Sequence, residues 1–393
     1  MQTDSIICFA KDWHEPKTSN NHVMEELAKR HRVLWVNSIA TRTPSFTSGN
    51  DLKKIVRKVR EWFRGATIIH ERLRVFTPVS LPLPRFRIAQ ALNRWLVCFS
   101  VRRVAHLWGL HAPQFWTFLP NAGDFVGSLG ESRVIYYCTD EWTGFTHLNP
   151  DYIRQKELEL LHKADIVFVT SKKLYDSKHS HNTGTHLMPH GVNRALFAQA
   201  LSPELPIPAA LQSILDKNLQ SVVIGFYGNL YDWVDQELLI AIAHARPAWS
   251  LVLIGKLMTD VATLRTCPNI HILGAQPYEQ LPAYCKGFDV GLIPYKTTDP
   301  RMLTVNPLKL REYLAAGLPV VSVEMPEVRH LIATGQFTPT DVSIATGPTD
   351  FIEKIETMLA SDSLTARQQR SDLMELESWT ARVNMMERII AKR

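Results

Sequence analysis

Apolar residues run along this chain in two rhythms. Short unbroken runs recur at Ser5–Ala10, Val33–Val36, Arg133–Tyr137, Asp165–Thr170, Val222–Tyr227, Leu251–Gly255, Ile270–Leu273, Asp289–Pro294 and Val320–Val323. Runs of this kind, rich in Val, Ile and Leu and closed by Gly, Pro or polar residues, predict strands buried on both faces. Between them the spacing becomes helical, near His22–Arg30, across Ile88–His106, near Tyr152–His162 and after Pro307. A last helix follows Ser378, with Trp379, Val383, Met386, Ile389 and Ile390 in one stripe. Strands alternating with helices predict parallel sheets in an α/β fold. Phe197–Leu215 carries Pro203, Pro206 and Pro208 without a clear rhythm and reads as a linker. Two domains are therefore expected, 1–198 joined by 378–393, and 199–377.

In open parallel sheets, ligands bind beyond the carboxyl ends of strands. The first such loop, Lys11–Asn21, has no G-x-G-x-x-G, so a dinucleotide site is not supported. His22 follows it, read either as a cleft contact or as a capping residue. Asp140 and Glu141 sit just past the strand Arg133–Tyr137, and Gly228-Asn229-Leu230 makes a tight turn after Val222–Tyr227. His190 lies in the loop HLMPHGVN, either as a ligand contact or as a turn histidine.

The stretch Asn306–Val323, NPLKLREYLAAGLPVVSV, carries the sharpest chemical signal. A helix is expected after Pro307, a positive-φ C-cap at Gly317 and a buried strand after Pro319. Lys309 and Glu312 stand three apart, on one side of the helix's first turn. A cation at a helix start suits a bound phosphate, and a carboxylate one turn on suits sugar hydroxyls. The alternative is an amphipathic helix with a surface Lys–Glu pair.

This stretch resembles the P-x-K-x-x-E-Y-x-A-x-G-x-P-V-V signature of GT-B glycosyltransferases in family 4, among bacterial polysaccharide enzymes. YYCTDEW is similar to the Y-D-x-x-D element of that group, and a more distant resemblance is to the xanthan glucuronosyltransferase. The resemblance implies two Rossmann-like domains facing a cleft, an acceptor-binding first domain, a donor-binding second domain and a last helix crossing back. It implies transfer of a sugar from a nucleotide-sugar, such as a UDP-sugar, to a lipid-linked or saccharide acceptor in cell-surface polysaccharide or exopolysaccharide synthesis. Glu312 is expected on the ribose, and Tyr295, Gly228 and Asn229 near the nucleotide. The basic pair usual after that glycine is replaced by YDWVDQE, which leaves Lys309 and Arg301 for the diphosphate. Thr304 stands where the commonest pattern has a second glutamate. Asp140 is expected as general base if the reaction inverts, or to orient a hydroxyl if it retains, with Glu141 as the neighbouring candidate.

Charge adds a membrane question. Of 44 Lys and Arg and 38 Asp and Glu, residues 1–200 hold 27 and 17, so the basic excess lies there. Asp51–Arg64 sets Leu52, Ile55, Val56, Val59, Trp62 and Phe63 against a crowd of Lys and Arg. That is the pattern of a helix on an anionic membrane, or of one packed on its own domain with a solvated basic face. No run reaches the roughly 20 apolar residues of a spanning helix, and no secretory signal is visible. A cytoplasmic protein, peripheral at the inner face of the plasma membrane, is expected. The five scattered cysteines suggest reduced thiols and no zinc. There is no D-x-D carboxylate pair, so no metal and no cofactor are expected. The other classes in view are an epimerase or phosphorylase on the same fold, and a non-catalytic binder of anionic lipid or RNA. No nucleic-acid motif appears, which argues against RNA.

Overall fold

The computed structural model describes residues 4–38, 60, 65–79, 87–144, 149–217 and 222–392. The expected basic helix at 51–64 lies outside the described residues, Arg60 excepted. Two compact units emerge, Met1–Pro189 with Val383–Arg393, and His190–Arg382.

The first unit holds an eight-stranded sheet. Its strands are β1 (Ser5–Phe9), β2 (Arg32–Val36), β3 (Thr67–His70), β4 (Leu73–Phe76), β5 (Gln114–Thr117), β6 (Arg133–Cys138), β7 (Ile166–Val169) and β8 (Thr185–Leu187). They lie in the order β3-β4-β2-β1-β5-β6-β7-β8, parallel throughout except for β3 against β4. The long strand-joining helices place Ile7, Phe9, Leu34, Val36 and Phe115 in one core, on which Val97 and Val101 of the helix Arg87–Leu107 pack. Asn149 and Ser171 cap the helices Pro150–Lys163 and Lys172–His179 by accepting backbone N–H groups. The order turns back at β1, whose neighbours β2 and β5 lie on opposite sides, so a ligand crevice is expected beyond the carboxyl ends of β1 and β5.

The second unit repeats the plan with six parallel strands in the order β11-β10-β9-β12-β13-β14. They are β9 (Val223–Tyr227), β10 (Ser250–Ile254), β11 (Ile270–Gly274), β12 (Val290–Ile293), β13 (Val320–Val323) and β14 (Val342–Ala345). Here the order turns back at β9, flanked by β10 and β12.

Four differences from the sequence reading stand out. Phe197–Leu215 is not a patternless linker: it holds a short helical turn at Ala198–Leu201 and the helix Ala209–Leu215, and Phe197, Ala200 and Leu211 are buried in the second core. The unit boundary accordingly falls at Pro189 rather than 198, because the whole segment packs on the second sheet. The C-terminal helix, Trp379–Ala391, starts in the second unit and joins the first from Val383, not from 378. There Arg30 donates to Asn384 (2.9 Å) and the His31 ring meets the Glu387 carboxylate at 2.7 Å. Strands β3, β4, β5 and β14 went unforeseen, since none of them holds more than two apolar residues in a row.

Candidate active site

The turn after β9 is the densest convergence in the second unit. Gly228 has φ +135 and donates its N–H to the Ile254 carbonyl (2.8 Å). A methyl group on Gly228 would run into the Lys309 side chain, and one on Gly255 would strike the Gly228 carbonyl. Both positions must be glycine for the β9 and β10 ends to close against each other, with Lys309 laid across the turn. The Lys309 ammonium donates to the Tyr295 hydroxyl (2.8 Å) and lies 5.6 Å from the ring centres of Phe226 and Tyr295.

Lys309 belongs to the helix Leu308–Ala315, which ends at Gly317 with φ +84, as its sequence predicted. The helix is not an amphipathic surface helix: every residue from Leu310 to Ala315 is buried. Glu312 is 7% exposed, and its two oxygens accept the hydroxyls of Tyr227 (3.1 Å) and Tyr278 (3.0 Å). Burial pushes its carboxyl up, while Tyr278, Lys309 and Tyr227 work against that rise. Each carboxylate oxygen has two acceptor directions, so one per oxygen stays available for a further hydroxyl. Tyr313 locks the helix to β9, accepting from the Tyr227 N–H at 3.1 Å.

Arg301 sits differently from the sequence reading. Its guanidinium is held by Asp299 (2.8 Å from Nε) and by Asp232 (3.5 Å), and it lies 4.2 Å over the Trp233 ring. Two carboxylates compensate its charge, whereas Lys309 lies directly against the glycine turn. Asn229, next along, donates to the Tyr231 hydroxyl at 3.5 Å.

His190 is part of a buried cluster of the second unit. It is 5% exposed and packs near Trp379, with ring centres 6.5 Å apart. Burial, then Arg311 and Arg382, push its pKa down to about 3, so it is neutral. Arg311, two residues from Lys309, is fully buried and donates to Glu377 (3.0 Å) and Asn306 (2.6 Å). This anchor explains how a helix bearing a lysine and a glutamate stays rigid. The sequence reading missed it because a charged side chain is rarely buried. It also missed Tyr227, Tyr278 and Tyr313; Tyr227 adjoins Gly228, which was a usable signal, whereas nothing in sequence joins Tyr278 to Glu312.

In the first unit, Asp140 and Glu141 follow β6 and have opposite surroundings. Glu141 pairs with Lys178 (3.2 Å) and accepts from the Thr143 hydroxyl (2.8 Å). Burial works to raise it, but Lys178 and Thr143 outweigh that and hold it below the usual range. Lys178 also pairs with the buried Glu157 (2.7 Å), which accepts from the Tyr136 hydroxyl (2.8 Å). Asp140 is half-buried; burial raises its carboxyl, opposed by a hydrogen bond with Thr139. A raised carboxylate at a strand end is the better proton acceptor. His22, on the helix Ser19–Leu27, is 8% exposed. Burial, with Lys17 and Lys11, lowers its pKa to about 4, so it too is neutral.

Residues 221–361 match the family described as glycosyl transferases group 1. That matched stretch lies wholly within the second unit. TuaH of Bacillus subtilis (strain 168), named as a putative teichuronic acid biosynthesis glycosyltransferase, is 27% identical over 264 residues. That match takes in 63% of this chain and 64% of TuaH, so less than two thirds of the relative's length is spanned. Sucrose-phosphate synthase of Thermosynechococcus elongatus superposes with a TM-score of 0.69 at 14% identity, over 99% of this chain and 98% of that one. HepE of Anabaena, solved with UDP and glucose, gives 0.67 at 14% identity, over 99% and 100%. The chain thus has the GT-B fold, two Rossmann-like domains with parallel sheets.

Proposed function

We propose that this group 1 glycosyltransferase moves a sugar from a nucleotide-sugar, a UDP-sugar in the first instance, to a lipid-linked or saccharide acceptor in bacterial cell-surface polysaccharide synthesis. The observation that carries the reading is the Lys309–Glu312 helix seated on the Gly228 turn, at the point where the second sheet's strand order reverses. HepE in complex with UDP and glucose supports the donor, and the name of TuaH supports the polysaccharide.

Chemically, transfer needs a stabilised diphosphate, a held nucleotide and a deprotonated acceptor. Lys309 meets the diphosphate at the Gly228–Asn229 turn. Glu312, oriented by Tyr227 and Tyr278, accepts the ribose hydroxyls through its remaining lone pairs. Asp140 takes the acceptor proton, or orients a hydroxyl if configuration is retained, while Glu141 braces its loop through Lys178. Tyr295 positions Lys309. Arg301, tied to Asp299, shapes the site's rim, and His22 and His190 act as neutral packing or hydrogen-bonding groups. No metal enters this scheme, because a lysine supplies the charge that a divalent ion would supply. The enzyme would work in the cytoplasm at the inner face of the membrane, and among the described residues no helix is long and apolar enough to cross it.

A thermal-shift panel of UDP, GDP, ADP and TDP tests the reading, since stabilisation follows RT ln(1 + [L]/Kd). UDP should raise the melting temperature in a concentration-dependent way, with EDTA making no difference. Failure of every nucleoside diphosphate to stabilise the chain would remove the donor site.

A further inference from the structure

The helix Arg87–Leu107 buries one side, with Val97, Cys98, Val101 and Ala105 in the first core. Its other side is open. Ile88 is 85% exposed, Leu92 42%, Trp95 60% and Phe99 55%. Steps of four, three and four residues set these side chains in one stripe along the helix. The Trp95 and Phe99 rings stack at 5.6 Å between centres, forming an aromatic plate in solvent. Further along the same face come Arg102, Arg103 and His106, all exposed. The helix carries Arg87, Arg94, Arg102 and Arg103 and not one carboxylate. Arg94 and Arg102 are steadied by Ser128, at 2.8 Å from Arg94 Nη2 and 2.6 Å from Arg102 Nε. Glu131, in the same loop as Ser128, accepts the Leu129 N–H at 2.9 Å.

A stripe of bulky apolar residues left in water calls for an occupant. A second copy of the chain is a poor one, because two such helices would set arginines against arginines with no carboxylate between them. Crossing a bilayer is excluded for this helix by its arginines and by the side already spent on the core. A Trp-bearing apolar face edged by arginines matches a leaflet of anionic lipid, where rings sit at the headgroup boundary and guanidinium groups meet phosphates. We propose that this face of Arg87–Leu107 is the surface by which the protein docks on an anionic membrane. The inference rests on the peripheral-membrane reading above and gives it a location, on 87–107 rather than on 51–64.

Co-sedimentation of the full chain with vesicles tests it, using phosphatidylglycerol mixed into phosphatidylcholine against phosphatidylcholine alone. The wild type should bind the mixed vesicles, and less so in high salt. Trp95→Ala with Phe99→Ala should lower the partition coefficient about tenfold or more, the loss expected for two buried aromatic anchors. UDP-dependent thermal stabilisation should be unaltered in that variant, which shows it to be folded. Gln at Lys53, Lys54, Arg57 and Lys58 should leave most of the binding in place. If the wild type ignores both vesicle types, the membrane reading itself fails. If it binds and the Trp95/Phe99 variant binds equally, only the assignment to this helix fails. A dimer by light scattering that becomes a monomer in that variant, without vesicle binding, would make the face a self-association surface instead.

Discussion

Lys309 and Glu312 are neighbours on one helix turn, yet their surroundings give them separate tasks. The lysine lies over a glycine and, among the described residues, hydrogen-bonds to Tyr295 alone, so its charge is directed at whatever approaches the turn. The glutamate is buried between two tyrosine hydroxyls. Lys309→Ala should therefore weaken UDP strongly and uridine hardly at all, whereas Glu312→Ala should weaken both. For Glu312 the loss should be about tenfold or more, from charged hydrogen bonds of about 1.5–3 kcal/mol each. Titration calorimetry with the two ligands checks the split; equal losses for uridine and UDP in Lys309→Ala would end the diphosphate role. Arg301→Ala should cost less than Lys309→Ala, since Asp299 and Asp232 already offset that guanidinium. In the first unit, Asp140→Asn should cut sugar transfer about 10²–10⁴-fold with nucleotide affinity unchanged. The acid limb of the wild-type rate profile should lie above the usual aspartate range, because burial raises this carboxyl. An active Asp140→Asn beside an inactive Glu141→Gln, with both variants folded, would exchange their roles.

At the scale of elements, the site depends on strand ends that close tightly. Gly228 illustrates this, with φ +135 and no room for a methyl group beside Lys309. Gly228→Ala should displace the lysine and weaken UDP binding by a factor close to that of Lys309→Ala, while the fold survives with a lower melting temperature. A variant that binds UDP as tightly as the wild type would show that the lysine is not held by this turn. The helix Leu308–Ala315 was legible in sequence, boundaries included, because Pro307, Gly317 and Pro319 punctuate it chemically. Its burial was not, because Arg311 reads as a solvent residue until Glu377 and Asn306 are brought to it by chain folding over more than sixty residues in one case and five in the other. The segment Phe197–Leu215 was misread for the opposite reason. Its prolines suggested a linker, yet Phe197, Ala200 and Leu211 find a ready apolar surface on the second sheet.

For the whole molecule, the last helix ties the C-terminus to the first unit. Val383 and Met386 have no exposure there and Ile390 has 6%. Met386→Ala should lower the first unit's stability by about 2–5 kcal/mol, the range for emptying a buried methionine site. Urea unfolding should show the loss, and UDP affinity, expected in the second unit, should stay the same; undiminished stability would place Met386 outside the core. What sequence alone determined is the layout that local chemistry can encode. Unbroken apolar runs specify buried parallel strands, glycine and proline mark the turns, and the Lys309–Glu312 spacing marks the proposed donor helix. What only the tertiary structure decided is which charges are spent and which remain. Asp299 lies two residues from Arg301, but their pairing depends on the turn they share; Lys178 reaches Glu141 and Glu157 from another helix; Tyr227 from the end of β9 and Tyr278 from a short helical turn meet on Glu312. Hydrogen bonds and ion pairs act over about 3 Å, so a side chain's chemistry is set by neighbours that chain order does not reveal.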